Sequence, residues 1–198
     1  MVHMPETNFT TPFSMFFSLT DGHCDHQGSV KWHLSQMAGM YVDGKAHDAL
    51  LMQEDALVYE FYQLNSPSVS SALLFGTSIV YPGKVGSEYF MTKGHFHAVI
   101  DTPEIYYCLR GKGYLVMQTR EGKSLIEFLK PGVAVYVPGH FAHRSVNTGQ
   151  RPLVTFFTYP ANAGHDYETI ERTGFRKLIV EKNMIPTVID NPQWSNVL

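Results

Sequence analysis

The chain is short of charge. Only 17% of its 198 residues are Asp, Glu, Lys or Arg, and the formal balance is -3, so there is no basic footprint for nucleic acid or an anionic membrane. Cysteine is scarce as well. Cys24 and Cys108 stand far apart and form no C-x-x-C, which leaves neither a disulfide framework nor a thiolate zinc site. No uninterrupted apolar run approaches the roughly 20 residues of a membrane span. "FTTPFSMFFSL", residues 9–19, has the hydrophobicity of a secretory leader, but no Lys or Arg precedes Lys31 and no small-residue cleavage site follows cleanly. A phosphate-cradling G-x4-G-K-[ST] loop is also missing. These absences point to a cytoplasmic protein whose partner is a small molecule, not nucleic acid or a membrane. The length suits one domain spanning residues 1–198, large enough to bury most of its surface.

What the chain does have is aromatic residues, 13 Phe and 11 Tyr, set in short runs. "ALVYEFYQL", "ALLFGTSIVY", "SEYFMTKGHFHAV", "EIYYCLR", "GYLVMQT", "SLIEFL", "VAVYVP" and "LVTFFTY" are rich in β-branched and aromatic side chains. They are punctuated by "PGKVG", "GKG", "REGK", "KPG" and "PGH". Many short strands at this spacing predict an all-β sandwich or barrel, its core over about residues 56–160. "RKLIVEKNMIPTVID" predicts a closing hairpin that turns near Asn183. One helix is expected over "KAHDALLMQ", 45–53, with Ala46, Ala49 and Leu50 on one face and Asp43 as its cap. It would be a small N-terminal decoration following an extension over residues 1–33.

Two histidine-bearing segments stand out. In "TKGHFHAVIDTPEIYYCLRGKG", His95 and His97 share a face of the expected strand, because side chains alternate. Glu104 opens the next strand, with Tyr106 and Cys108 on its side. "PGVAVYVPGHFAHRSVN" then carries His140, His143 and Asn147. If these strands neighbour one another in a barrel, His143 joins His95, His97 and Glu104. Three imidazoles and a carboxylate suit a divalent first-row metal with one or two positions left open. An H-x-H pair alone is better read as a pair of ordinary polar positions. "DGHCDH", 21–26, is read as a solvated turn, and His33 and His47 likewise.

The composite spacing is what favours the metal. H-x-H, Glu104, six residues to Gly111, then Gly132, Pro138, His143 and Asn147 resemble the two cupin motifs, E-x6-G and G-x5-P-x-G-x2-H-x3-N. The loop from His97 to Glu104 is longer than that pattern allows, and His140 stands where a glycine is usual. "VYPGKVGSEYFMTKGHFH", "GVAVYVPGHFAHRSVN" and "YPANAGHDYETI" further resemble the cupin-type glucose-6-phosphate isomerases, from about Leu34 to "VIDNPQW". The resemblance implies a cupin fold, the double-stranded β-helix or jelly-roll barrel, and a homodimer. It also implies one divalent ion per subunit, Fe²⁺ first, with Mn²⁺, Ni²⁺ or Zn²⁺ as alternatives, on His95, His97, Glu104 and His143. Tyr59, Ser78, Thr92 and the Gly94 backbone fall on its phosphate-binding positions, with Lys84 and Lys93 nearby. Tyr106, Tyr159, His165 and Tyr167 complete the expected pocket. Relatives tend to carry an aromatic at His140.

Glucose 6-phosphate and fructose 6-phosphate interconvert by moving one hydrogen between C1 and C2, as a proton through a cis-enediolate or as a metal-assisted hydride shift. General acid–base groups give about 10²–10⁴-fold, short of the roughly 10⁶-fold or more that enzymes usually supply. Metal and base are therefore needed together. Glu104 is the natural base and equally a plain fourth ligand; His165 suits the ring-opening proton, with Tyr159 beside it. Two other classes compete, an iron dioxygenase on the same three-histidine, one-glutamate site and a non-catalytic sugar-binding cupin. The Tyr, Thr, Ser, Lys and His around the ligands suit a polyhydroxylated anion better than the apolar substrate of a dioxygenase.

Overall fold

The structure, a computed structural model, describes residues 11–25, 28–64, 66 and 71–195. Phe9 and Thr10 of the leader-like run and His26 of "DGHCDH" lie outside the described residues.

The β-rich runs fold into antiparallel sheets. The large sheet orders β1 (Val30–His33), β2 (Leu57–Gln63), β3 (Leu73–Val80), β11 (Leu153–Pro160), β6 (Glu104–Arg110) and β9 (Ala134–Val137). A second sheet sets β10 (Ala142–Asn147) beside β7 (Gly113–Gln118) and β8 (Ser124–Leu129). A third places β13 (Ile185–Asp190), β12 (Lys177–Lys182), β5 (Glu88–Tyr89) and β4 (Lys84–Val85) side by side. Strand alternation decides which faces meet. On β6, Glu104, Tyr106 and Cys108 are buried while Ile105 and Tyr107 are exposed, as a period of two requires. The inward residues of the first two sheets form one core with Leu115, Leu129, Val135, Val137 and Phe157. This is the all-β barrel expected from the turn spacing, and the cupin fold that the resemblance implies.

The closing hairpin also forms, β12 against β13, with Asn183 and Met184 at positive φ in its turn. Helix α1 (Gly44–Leu51) is capped as expected, the Asp43 carboxylate accepting from Ala46 N–H at 2.9 Å. Its buried face differs from the expected one. Ala49 is exposed, and His47 is buried. The His47 ring is satisfied by tertiary partners, Nε2 lying 2.9 Å from the Leu34 carbonyl, so it is not a solvated turn residue. His33 ends β1, with Nδ1 2.9 Å from the Asp55 carbonyl, rather than standing in a solvated turn.

The elements not foreseen include β1, inside the expected extension, β4, inside the "PGKVG" read as a turn, and helix α2 (Tyr167–Thr173), capped by Asp166. Ahead of β1, residues 17–24 lie on the outside of the large sheet. Phe17 packs edge-on against Phe75 and Phe156, Arg110 donates to the Thr20 carbonyl and the Thr77 hydroxyl to the Gly22 carbonyl.

Close strand approach makes one glycine obligatory. Gly76 sits mid-β3 between Gln63 and Phe157, and a Cβ there would come within 1.9 Å of the Tyr62 carbonyl oxygen. Gly76→Ala is expected to destabilise the fold by about 2–3 kcal/mol, read as a lower denaturant midpoint. An unchanged midpoint would show that the strands part without cost.

Candidate metal centre

The expected strand over "SEYFMTKGHFHAV" is a strand only at Glu88–Tyr89. Beyond it Gly94, at φ +76°, breaks the regular run. The segment still follows β10. Met91 bridges Val146, Thr92 N–H donates to Ser145 O at 2.9 Å, and His95 and His143 exchange backbone bonds of 3.3 and 3.1 Å. Two of the candidate ligands are therefore directly opposite each other. Glu104 enters from β6 of the large sheet, and His97 follows two residues after His95. The four side chains offer one donor atom each, all within 4.8 Å of one another.

Their hydrogen bonds fix which atoms face inward. His97 Nδ1 lies 2.8 Å from the Thr102 carbonyl and His143 Nδ1 3.4 Å from the Phe141 carbonyl. A carbonyl only accepts, so each Nδ1 carries a proton and each Nε2 is the inward-facing atom, open to a metal ion once it holds no proton of its own. Both Nε2 atoms point at Glu104 Oε2, from 3.1 Å for His97 and 2.9 Å for His143. Buried His95 Nε2 finds no hydrogen-bond partner, and His143 Nε2 faces Glu104 Oε2 alone. Nitrogens converging on a carboxylate oxygen are held there by shared protons or by a metal ion among them. This donor set fits a divalent ion, and its distal carbonyls are the outer support such ligands need.

The electrostatics agree. Burial pushes Glu104 toward protonation, but His143 and His97 more than reverse this and bring its pKa down to about 2. Burial lowers the His97 pKa, and the hydrogen bond and charge of Glu104 raise it to a net increase. His95 is held well below its usual range by burial and then by His143, His165 and His97. Its imidazole is neutral, as a metal ligand must be.

The cluster opens onto a pocket enclosing about 510 Å³ of empty space, mouth included. The pocket is lined by the expected Tyr59, Ser78, Thr92, Gly94, Tyr106, Tyr159, His165 and Tyr167, together with His95, Glu104 and His143. Phe61, Gln63 and Phe157 line it too, and no motif marked them. Gln63 accepts from the Tyr159 hydroxyl at 2.7 Å, and His165 Nε2 lies 3.4 Å from the same oxygen. The His165 ring meets His95 edge-on at 4.3 Å. Burial raises the pKa of Tyr59, Tyr106 and Tyr159 and lifts Tyr167 to about 12, so all four are neutral hydroxyls at pH 7.

Three residues stand elsewhere. His140, at φ +70°, points to solvent and bonds Asp101 at 2.7 Å. Its backbone conformation explains why a glycine suits this position, and its ring does not line the pocket. Lys84 pairs with Glu181 at 2.5 Å. Lys93 pairs with Glu171 and sits 5.1 Å from the Trp32 ring centroid.

The family model for glucose-6-phosphate isomerase matches residues 31–194. A glucose-6-phosphate isomerase of Thermococcus litoralis is 41% identical over 186 residues, covering 94% of this chain and 98% of that protein. One from Pyrococcus horikoshii is 47% identical over 163 residues, covering 82% and 86%. A solved oxalate oxidase structure aligns with a TM-score of 0.48 at 13% identity, over 59% of this chain and 58% of its own. With its cupin barrel and a match over most of its length, the chain belongs to the glucose-6-phosphate isomerase family.

Proposed function

We infer that the protein is a metal-dependent aldose–ketose isomerase that interconverts glucose 6-phosphate and fructose 6-phosphate. The observation carrying this reading is Glu104 among three imidazoles, inside a pocket whose other polar lining is neutral hydroxyl, amide and the His165 imidazole. A divalent ion on His95, His97, Glu104 and His143, with Fe²⁺ the first candidate, would supply Lewis-acid stabilisation of the oxygens at C1 and C2. Glu104 has an oxygen for each of two duties. Oε2 is the one shared with His97 and His143, and the other is assigned to the proton. It takes the C2 proton of the open-chain aldose as the C–H pair becomes the enediolate double bond. It returns the proton to C1 while the O2 hydroxyl proton passes to O1, leaving the carbonyl at C2.

His165 serves ring opening. Tyr159 spends its only O–H on Gln63, so it accepts from His165 Nε2–H and leaves Nδ1 as the basic nitrogen. Tyr59, Ser78, Thr92 and Gly94 hold the phosphate, and Tyr106 and Tyr167 flank the sugar. Among the described residues no helix is long and apolar enough to cross a membrane, and we place the enzyme in the cytoplasm. Exposed Ile105, Tyr107 and Tyr136, on β6 and β9, support a homodimer through the outer face of the large sheet.

The test is a coupled assay of purified, metal-loaded protein with fructose 6-phosphate. No glucose 6-phosphate above a heat-killed control would refute the reading. One substitution probes the phosphate end. Thr92 Oγ1 accepts from Ser145 N–H at 3.0 Å, leaving its hydroxyl proton free for a ligand. Thr92→Val is expected to raise KM about tenfold and to lower kcat less, while Thr92→Ser stays near wild type. An unchanged KM in a folded Thr92→Val would remove Thr92 from the phosphate site.

A further inference from the structure

Arg144 is fully buried, at 3% exposure, and follows His143 on β10. Alternation turns it away from the metal cluster, against a second cavity of about 450 Å³ that it lines with Tyr41 and Phe175. Its guanidinium carbon lies 4.2 Å from the centroid of the Phe175 ring. Nη2 donates to the Lys93 carbonyl at 2.6 Å and Nη1 to Met91 Sδ at 3.1 Å, while Nε has no partner. A buried cation held by a carbonyl, a thioether and a ring, with no carboxylate of the described residues at ion-pair distance and Glu88 acting only from farther off, is costly to keep.

The Lys93 carbonyl belongs to the same peptide group as the Gly94 N–H, and Gly94 lines the active-site pocket. A Cβ on Gly94 would come within 2.7 Å of the Phe175 ring and 2.9 Å of the His143 carbonyl oxygen. The residue is thus pinned from behind by the groups that surround Arg144. A cation on a carbonyl oxygen draws electrons from the amide and strengthens its N–H as a donor.

We propose that Arg144 is a positioning residue for the phosphate end of the substrate. It clamps residues 91–94 from outside the pocket and, through the Lys93–Gly94 peptide, makes the Gly94 N–H a stronger donor to a phosphate oxygen. The proposal rests on the sugar-phosphate reading of the pocket.

The experiment compares metal-loaded wild type, Arg144→Met and Arg144→Lys. It measures kcat and KM for fructose 6-phosphate, the inhibition constant of inorganic phosphate, and bound metal per chain. Arg144→Met is expected to raise KM and the phosphate inhibition constant together, by about tenfold, with kcat down less than about threefold and metal unchanged. Arg144→Lys keeps the charge and one donor but loses the fork, so both constants rise by about threefold. A purely structural residue would lower stability and kcat without moving the phosphate constant, and that result overturns the proposal. If Arg144→Met fails to fold or loses metal, Arg144→Lys decides: a phosphate constant equal to wild type overturns it. Wild-type protein that does not turn over fructose 6-phosphate refutes the isomerase reading and this proposal with it. Turnover with an unmoved phosphate constant in both variants refutes the proposal alone.

Discussion

Chelation of the purified protein is expected to abolish isomerisation, and re-addition of Fe²⁺ or Mn²⁺ to restore it. Acid–base groups alone supply about 10²–10⁴ of the rate enhancement, and enzymes typically need about 10⁶ or more. Losing the charge that stabilises the developing enediolate should therefore cost at least about 10³-fold. The donor set points the same way. With no cation among them, His97 Nε2, His143 Nε2 and Glu104 Oε2 are held together by protons instead, and the carboxylate is occupied. The coupled assay reads the loss, with elemental analysis confirming that the ion is gone. Full activity in verified metal-free protein would sink the proposed centre.

The second large effect belongs to Glu104. Glu104→Gln keeps an oxygen donor and nearly the same volume but removes the charge and the basicity. Three imidazoles remain, so the variant is expected to bind metal supplied in excess, more weakly than wild type. Its kcat should fall by about 10² or more, the contribution of a general base. Exchange of the C1 or C2 proton with solvent deuterium should fall with it. A metal-saturated variant that isomerises near the wild-type rate would free Glu104 of the proton and leave the transfer to a hydride shift or another residue.

The metal cluster was legible because its spacing is local. H-x-H, the following glutamate and the G-x5-P…H segment each keep their order in the chain, and the barrel only has to bring them together. That Tyr59, Ser78, Thr92 and Gly94 line the pocket was legible through the family resemblance, not through any signal of their own. Gln63, Phe61 and Phe157 carry no such pattern. They reach the pocket from β2 and β11, and only the strand pairing makes them neighbours. Helix α2 was hidden because "YPANAGHDYETI" is dominated by turn formers and the helix is seven residues long. Its one local mark is Asp166, whose carboxylate caps Thr169 at 3.0 Å. His47 and Arg144 show the limit most directly. Both are polar residues of types mostly found exposed or half-exposed, and what buries them is a carbonyl far away in sequence, Leu34 for one and Lys93 for the other.

The paired backbones of His95 and His143 bear on which ion the protein carries. Ligands whose backbones are hydrogen-bonded to each other move little between one metal and the next. Nitrogen and oxygen donors of this kind bind first-row ions in the Irving–Williams order, and they reject none of them sharply. Selection then passes from the chain to its surroundings. Cells with different pools of iron, manganese, nickel and zinc would fill the same rigid socket differently, and the enzyme's rate would vary with the metal economy of its host.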